Sequence, residues 1–230
     1  MRLDRFITHH SSVPCRQVQR LLAAGRVRVD DAVVKDSHHV VSVFSKVCLG
    51  DRLLSKRRAY HYMLHKPAGV ISATRDQNHT TVIDLLAPAS CPEPLHLAGR
   101  LDRSTTGLVL LTNDGRWSRQ LTEPGSRTPK VYMVDTEVKI TSETVDCFEE
   151  GLHFECEDRT TQPAQLELLT ERRARLTIYE GLYHQVKRMF HRVGNRVVRL
   201  HRERIGQISL DANLQPGEFR DLTPDELAAC

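Results

Sequence analysis

The segment GRLDRSTTGLVLLTNDG, Gly99 to Gly115, sets one carboxylate, Asp102, in a loop bracketed by Gly99 and Gly107. Arg100 and Arg103 stand beside it, and the apolar run Leu108 to Leu111 follows directly. An aspartate placed this way can attack electrophilic carbon or accept a proton. Both roles need it ionised beside an anionic ligand, an arrangement that flanking arginines suit. Other chemistries find less support. No G-x-x-x-x-G-K-[ST] phosphate loop, nucleophile elbow or coherent hydrolase triad is present. His61 and His65 have the spacing of helical zinc ligands, but they fall in a strand-like segment that would hold them roughly 13 Å apart. The six cysteines, Cys15, Cys48, Cys91, Cys147, Cys156 and Cys230, include no C-x-x-C pair. They read as reduced thiols, so no metal site and no disulfide framework is expected.

The elements that must position Asp102 alternate irregularly. Strands are predicted over Tyr62 to His65, Val70 to Ser72, Leu108 to Thr112, Lys130 to Lys139, Ala164 to Leu169, Arg175 to Tyr179 and Val197 to His201. Helices are predicted over Val82 to Leu86, Arg116 to Leu121, Ser142 to Glu150 and His184 to Val193. A last short helix is expected after the capping box Thr223-Pro224-Asp225-Glu226. Regular βα units are absent, which predicts an α+β fold on a mixed or antiparallel sheet. Ahead of this lies a compact unit. In CRQVQRLLAAG, Val18, Leu21 and Leu22 repeat at helical spacing and Gly25 stands where a C-cap belongs. The runs RVRV and AVVK then flank Asp30-Asp31 as a two-residue hairpin. The charged stretch SKRRA, Ser55 to Ala59, reads as the linker.

Of the 230 residues, 40% are hydrophobic and 27% charged, ordinary globular values, and no apolar run approaches a membrane span. The first residues, MRLDRFITHH, lack a signal peptide's apolar core, so a cytoplasmic location is expected. The net charge of +4 is unevenly spread. Residues 1 to 58 hold 12 Lys and Arg against 5 Asp and Glu, a net of +7, whereas residues 59 to 230 hold 21 against 24, a net of −3. The basic end suits a module that meets a phosphate backbone.

RLDRFI (Arg2 to Ile7), CRQVQRLLAAGRVRVDDAVVKDS and GDRL (Gly50 to Leu53) together resemble the S4 RNA-binding module. Cys15 stands where that pattern commonly has Ser, and Asp31 where it commonly has Gly. Further segments occur in order: HKPAG (His65 to Gly69), GRLDRSTTGLVLLTNDG, KVYMV (Lys130 to Val134), EGLYHQVKRMF (Glu180 to Phe190) and GNRVVRLHRERIG (Gly194 to Gly206). With the S4-like start, they resemble the RsuA group of pseudouridine synthases over nearly the whole chain.

The resemblance implies an S4-like RNA-binding domain over 1–58 and a pseudouridine synthase catalytic domain over 59–230. It implies a cofactor-independent isomerase whose catalytic carboxylate is Asp102. It also implies that Lys187 is the basic partner of Asp102, that Tyr132 stacks on the target base, and that Arg100 fills the gap left by the extruded nucleotide. The implied substrate is 16S ribosomal RNA, at uridine 516 in a partly assembled small subunit, with the enzyme acting as a monomer. The run HQVKRMFHRVGNRVVRLHRER, with seven Lys or Arg against one Glu, is expected to follow RNA phosphates around the cleft. A competing reading, a non-catalytic S4-type RNA-binding factor of ribosome assembly, keeps the fold without turnover. Intact Asp102, Tyr132 and Lys187 argue against it, and tritium release from uridine C5 separates the two.

Overall fold

The computed structural model describes residues 1–55, 57–86 and 93–229, and the chain divides into two compact units, Met1–Ala59 and Tyr60–Cys230. Lys56 of the expected linker, Cys91 and Cys230 lie outside the described residues, as does the Cys156 side chain. Among the described residues, Cys15, Cys48 and Cys147 are free thiols.

The first unit runs α1 (Leu3–His10), α2 (Cys15–Ala23), β1 (Val27–Val29), β2 (Ala32–Val33), β3 (Val47–Leu49) and β4 (Arg52–Ser55). Its core joins Leu3, Phe6 and Ile7 of α1 to Val18 and Leu22 of α2 and to Val27, Val29 and Val47 of the sheet. Helix α2 ends in a Schellman motif. Gly25 adopts φ +66, its N–H donates to Leu22 O, and Arg26 N–H donates to Leu21 O. The expected hairpin forms on Asp30 and Asp31, both at positive φ (49° and 69°), as a type I′ turn requires. Their carboxylates are held by Lys46, through its backbone N–H to Asp30 (2.8 Å) and its ammonium to Asp31 (2.6 Å).

The second unit contains β5 (His61–Lys66), β6 (His96–Leu97), β7 (Thr106–Thr112), α3 (Gly115–Thr122), β8 (Lys130–Thr136) and α4 (Ser142–Glu150). It continues with β9 (His153–Phe154), β10 (Arg159–Thr160), β11 (Gln165–Thr170), β12 (Arg173–Ile178) and α5 (Gln185–Arg192). The chain then runs through β13 (Val197–Ile205), β14 (Ile208–Ser209), β15 (Phe219–Asp221) and α6 (Pro224–Ala228). The main sheet is ordered β11-β12-β8-β13-β7-β5-β15, with β6 beside β7 and β14 beside β13. It is mixed: β13 runs parallel to β7, and the other described pairs are antiparallel. The fold is α+β, as the sequence predicts.

Both sheet faces are covered. Val109 and Leu111 of β7 pack with Phe148 of α4 and with Val186, Met189 and Phe190 of α5. On the opposite face, Leu108 and Leu110 meet Trp117 and Leu121 of α3. Burial on two sides explains why β7 reads as an unbroken apolar run instead of an alternating one.

Two expected elements are absent. Val70 to Ser72 forms no strand, only a single bridge from Ile71 to Thr81. Val82 to Leu86 is a turn rather than a helix, closed by Leu86 N–H to Ile83 O (3.0 Å), since five residues are too few to nucleate one without tertiary support. β8 also stops at Thr136, short of Lys139, where the Thr136 hydroxyl donates to Val138 O (2.8 Å) and the chain turns.

Candidate active site

Asp102 lies in the loop that leads into β7, and backbone geometry fixes this loop from below. Gly107, at φ +107, is where β7 meets β13 in parallel, and a Cβ there would lie 2.3 Å from the Arg202 carbonyl oxygen. Only glycine admits that approach. Arg202, on β13, is buried. Its guanidinium donates to Leu108 O (2.8 Å), Arg100 O (3.2 Å) and Gly99 O (3.4 Å), tying both ends of the loop together.

Lys66, fully buried at the end of β5, donates its ammonium to Pro67 O (3.0 Å), Arg103 O (3.3 Å) and Thr105 O (2.8 Å). Burial pulls its pKa down to about 8, with Asp102 opposing the shift and Lys187 and Arg202 adding to it. Ser72 secures the remaining side by exchanging hydrogen bonds with the Leu101 backbone (2.8 and 3.0 Å). Lys66, Ser72 and Arg202 thus hold this loop by its backbone, which leaves the Asp102 side chain to face the cleft.

Both carboxylate oxygens of Asp102 have cationic or protonatable neighbours. Lys187 Nζ, from α5, donates to Oδ2 at 2.7 Å and also to Ser104 Oγ at 3.0 Å. His184 Nε2 lies 3.3 Å from Oδ1. The His184 backbone is left-handed (φ 46°), an uncommon conformation for a non-glycine residue, at the N-cap of α5. Asp102, Lys187 and His184 keep side-chain exposures of 26%, 31% and 39%, so the cluster is open to a ligand.

A cleft of about 730 Å³ holds this cluster, and Arg100, Asp102, Tyr132 and Lys187 all line it. Tyr132 is a buried residue of β8 in register with Arg202, whose guanidinium carbon is 6.0 Å from the ring centroid. Arg100 is exposed at the rim, with no side-chain hydrogen bond or ion pair among the described residues. The structure thus brings all four expected residues into one cavity.

It corrects the setting of two others. The Arg103 side chain is engaged with the backbone, its Nε donating to Gly69 O (3.1 Å), and it makes no ion pair with Asp102 among the described residues. The basic strip after His184 is divided between residues that hold the site, residues in ion pairs and residues left exposed. Lys187 and Arg202 hold the site, while Arg188 and Arg192 pair with Glu157 and Glu155, which leaves Arg196, Arg199 and Arg204 exposed. Sequence reasoning does not single out His184, Ser104, Lys66 or Arg202. The signal available for His184 is its three-residue spacing from Lys187, one helical turn away.

A mixed sheet carries, on the loop before β7, an ion-paired aspartate that shares its cleft with a buried tyrosine, and this sheet and site match one family of enzymes. The sequence model of the RNA pseudouridylate synthase family matches residues 60–192, that of the S4 domain matches residues 1–47, and the chain belongs to the RNA pseudouridylate synthase family, within its RsuA group. It is 55% identical over 230 residues to the Ribosomal small subunit pseudouridine synthase A of Pseudomonas aeruginosa, covering 100% of both chains. It is 44% identical over 234 residues to the protein of the same name from Escherichia coli strain K12, covering 100% of this chain and 99% of that one. A crystal structure described as a pseudouridylate synthase superposes with a TM-score of 0.72 at 36% identity, covering 100% of this chain and 99% of the other. The protein is a pseudouridine synthase. Among the described residues, no helix is long and apolar enough to cross a membrane.

Proposed function

We propose that this chain isomerises a single uridine of 16S ribosomal RNA to pseudouridine, at position 516 in a partly assembled small subunit, acting in the cytoplasm as a monomer. The observation that carries the reading is the Asp102 carboxylate held at 2.7 Å by Lys187 inside a cleft that Tyr132 and Arg100 also line. The full-length likeness to enzymes named for the small ribosomal subunit supports the choice of RNA.

The reaction breaks the bond from uracil N1 to ribose C1′, turns the base, and joins C5 to C1′, with the C5 proton lost and N1 protonated. Composition is unchanged and no electrons are transferred. The Asp102 carboxylate either attacks C1′ or removes the ribose 2′ proton, and Lys187, donating to it at 2.7 Å, holds it in place beside the sugar. Tyr132, on the cleft wall, stacks on the detached uracil and retains it while it turns. The target must leave its stack to reach Asp102, and exposed Arg100 occupies the space it vacates.

The test has two arms. Pseudouridine mapping of ribosomal RNA from cells with and without the protein should show one missing site, at position 516; loss of a large-subunit site instead would overturn the substrate. Tritium release from 16S RNA labelled at uridine C5 should be abolished in Asp102→Asn while RNA binding persists, because the amide is nearly isosteric and far less nucleophilic. Turnover within about tenfold of wild type, roughly 1.4 kcal/mol of barrier, would assign the chemistry to another residue.

A further inference from the structure

Tyr183 is 74% exposed, more than any other large hydrophobic side chain among the described residues. Single exposed aromatics are common on protein surfaces, but this ring is held in place. It lies parallel on the His184 imidazole, with centroids 3.9 Å apart and planes 17° from one another. His184 is in turn fixed by its 3.3 Å contact with Asp102 and by the start of α5. The Tyr183 carbonyl is held as well, accepting from Arg188 at 3.2 Å. Both Tyr183 and Tyr132 line the same cleft, one on its rim and the other buried in its wall.

The stack decides which base Tyr183 can serve. Its inner face is covered by His184, the ring that touches Asp102, so a base can stack only on the opposite, exposed face. The uracil that stacks on Tyr132 during isomerisation leaves that face unused. We propose that Tyr183 is a stacking platform for a second nucleobase, one that flanks the target uridine, with His184 as the ring beneath it. This rests on the proposed reaction on RNA and adds a subsite to it. The subsite is tolerant of base identity, because every base offers a π face. Its role is to hold the strand as the target swings out, so it contributes to binding more than to the chemical step.

The experiment uses the full-length protein and a 16S RNA fragment containing the target uridine, with 2-aminopurine placed in turn at each flanking nucleotide. Binding of wild type should quench the probe at one of these positions, and Tyr183→Ala should not quench it. Single-turnover kinetics over a range of enzyme concentration should show a half-saturation concentration raised roughly tenfold in Tyr183→Ala, with the maximal rate within about twofold of wild type. Tyr183→Phe and Tyr183→Trp, which keep the ring, should retain both the quench and the affinity. An unchanged half-saturation concentration and an unchanged quench would overturn the proposal. So would a fall in maximal rate alone, which would mean that Tyr183 merely steadies His184 and Asp102. A wild type that forms no pseudouridine in this RNA would defeat the proposed substrate instead, while the quench comparison would still judge the stacking site.

Discussion

At the scale of single residues, the buried ammonium of Lys66 sets a charge under the loop that presents Asp102, with the carbonyls of Pro67, Arg103 and Thr105 as its acceptors. Its lowered pKa, about 8 against an ordinary 10.5, makes a pH signature that separates it from a surface lysine. Between those values the unfolded chain binds the proton and the folded chain does not, so the Lys66 contribution to stability rises with pH through this window. Below pH 8 the cost of the buried charge is present in full. Comparing wild type with Lys66→Met cancels the other titrating groups. The stability difference, wild type minus variant, should therefore grow by about 2 kcal/mol between pH 7.5 and 9.5 in urea denaturation. A difference that stays flat over this range would show that Lys66 does not titrate there. Turnover of the variant should also fall, because the three carbonyls lose their donor and the Asp102 loop loosens.

At the scale of elements, the parallel pairing of β7 and β13 is what makes Gly107 indispensable. Gly107→Ala would force a Cβ to within 2.3 Å of Arg202 O at a φ of +107°. The expected loss is about 3 kcal/mol or more in urea denaturation, from strain and overpacking together, with residual activity low even in the folded fraction. Gly115→Ala, at a site where an added Cβ meets nothing, should be near neutral and serves as the control. Wild-type stability in Gly107→Ala would mean that the two strands are not in register here.

Pairing between distant strands also limits what a sequence can reveal. Gly99 and Gly107 bracket the loop visibly, the buried run of β7 is unmistakable, and the capping box at Thr223 and Glu226 forms as expected. The part played by Arg202 is not legible. In RLHRER nothing distinguishes a guanidinium aimed at three carbonyls from its exposed neighbours Arg199 and Arg204, because the distinction depends on which strand lies alongside. α1 escapes for a different reason. Leu3, Phe6 and Ile7 do repeat at i, i+3 and i+4, but the run is short and begins at the third residue, without a side-chain cap. Asp102, Tyr132 and Lys187 come from three distant segments, and only the likeness of those segments to one family joins them before the fold is known.

At the scale of the whole molecule, the separation of charge between the two units predicts that each takes a different share of RNA binding. The second unit has two buried clusters of its own, one on each face of its sheet, so it does not depend on the first for a core. The first unit carries the net charge of +7, with Arg16, Arg20, Arg26 and Arg28 exposed or only half-covered around its small core. Removing residues 1–59 should leave a folded protein that unfolds cooperatively and retains the Asp102 and Lys187 pair. RNA affinity should drop, and log K against log salt should become shallower by about 0.7 to 0.9 for each phosphate that the first unit neutralises in the full chain. At saturating concentration of the truncated enzyme, single-turnover rates on a short RNA should approach those of the full chain, since no atom of the described Asp102 cluster lies in the missing unit. A salt slope equal to that of the full chain would show that the first unit does not touch the phosphate backbone. A truncated protein that binds with unchanged slope but no longer reacts would instead place that unit in orienting the RNA over Asp102, a role its charge alone does not require.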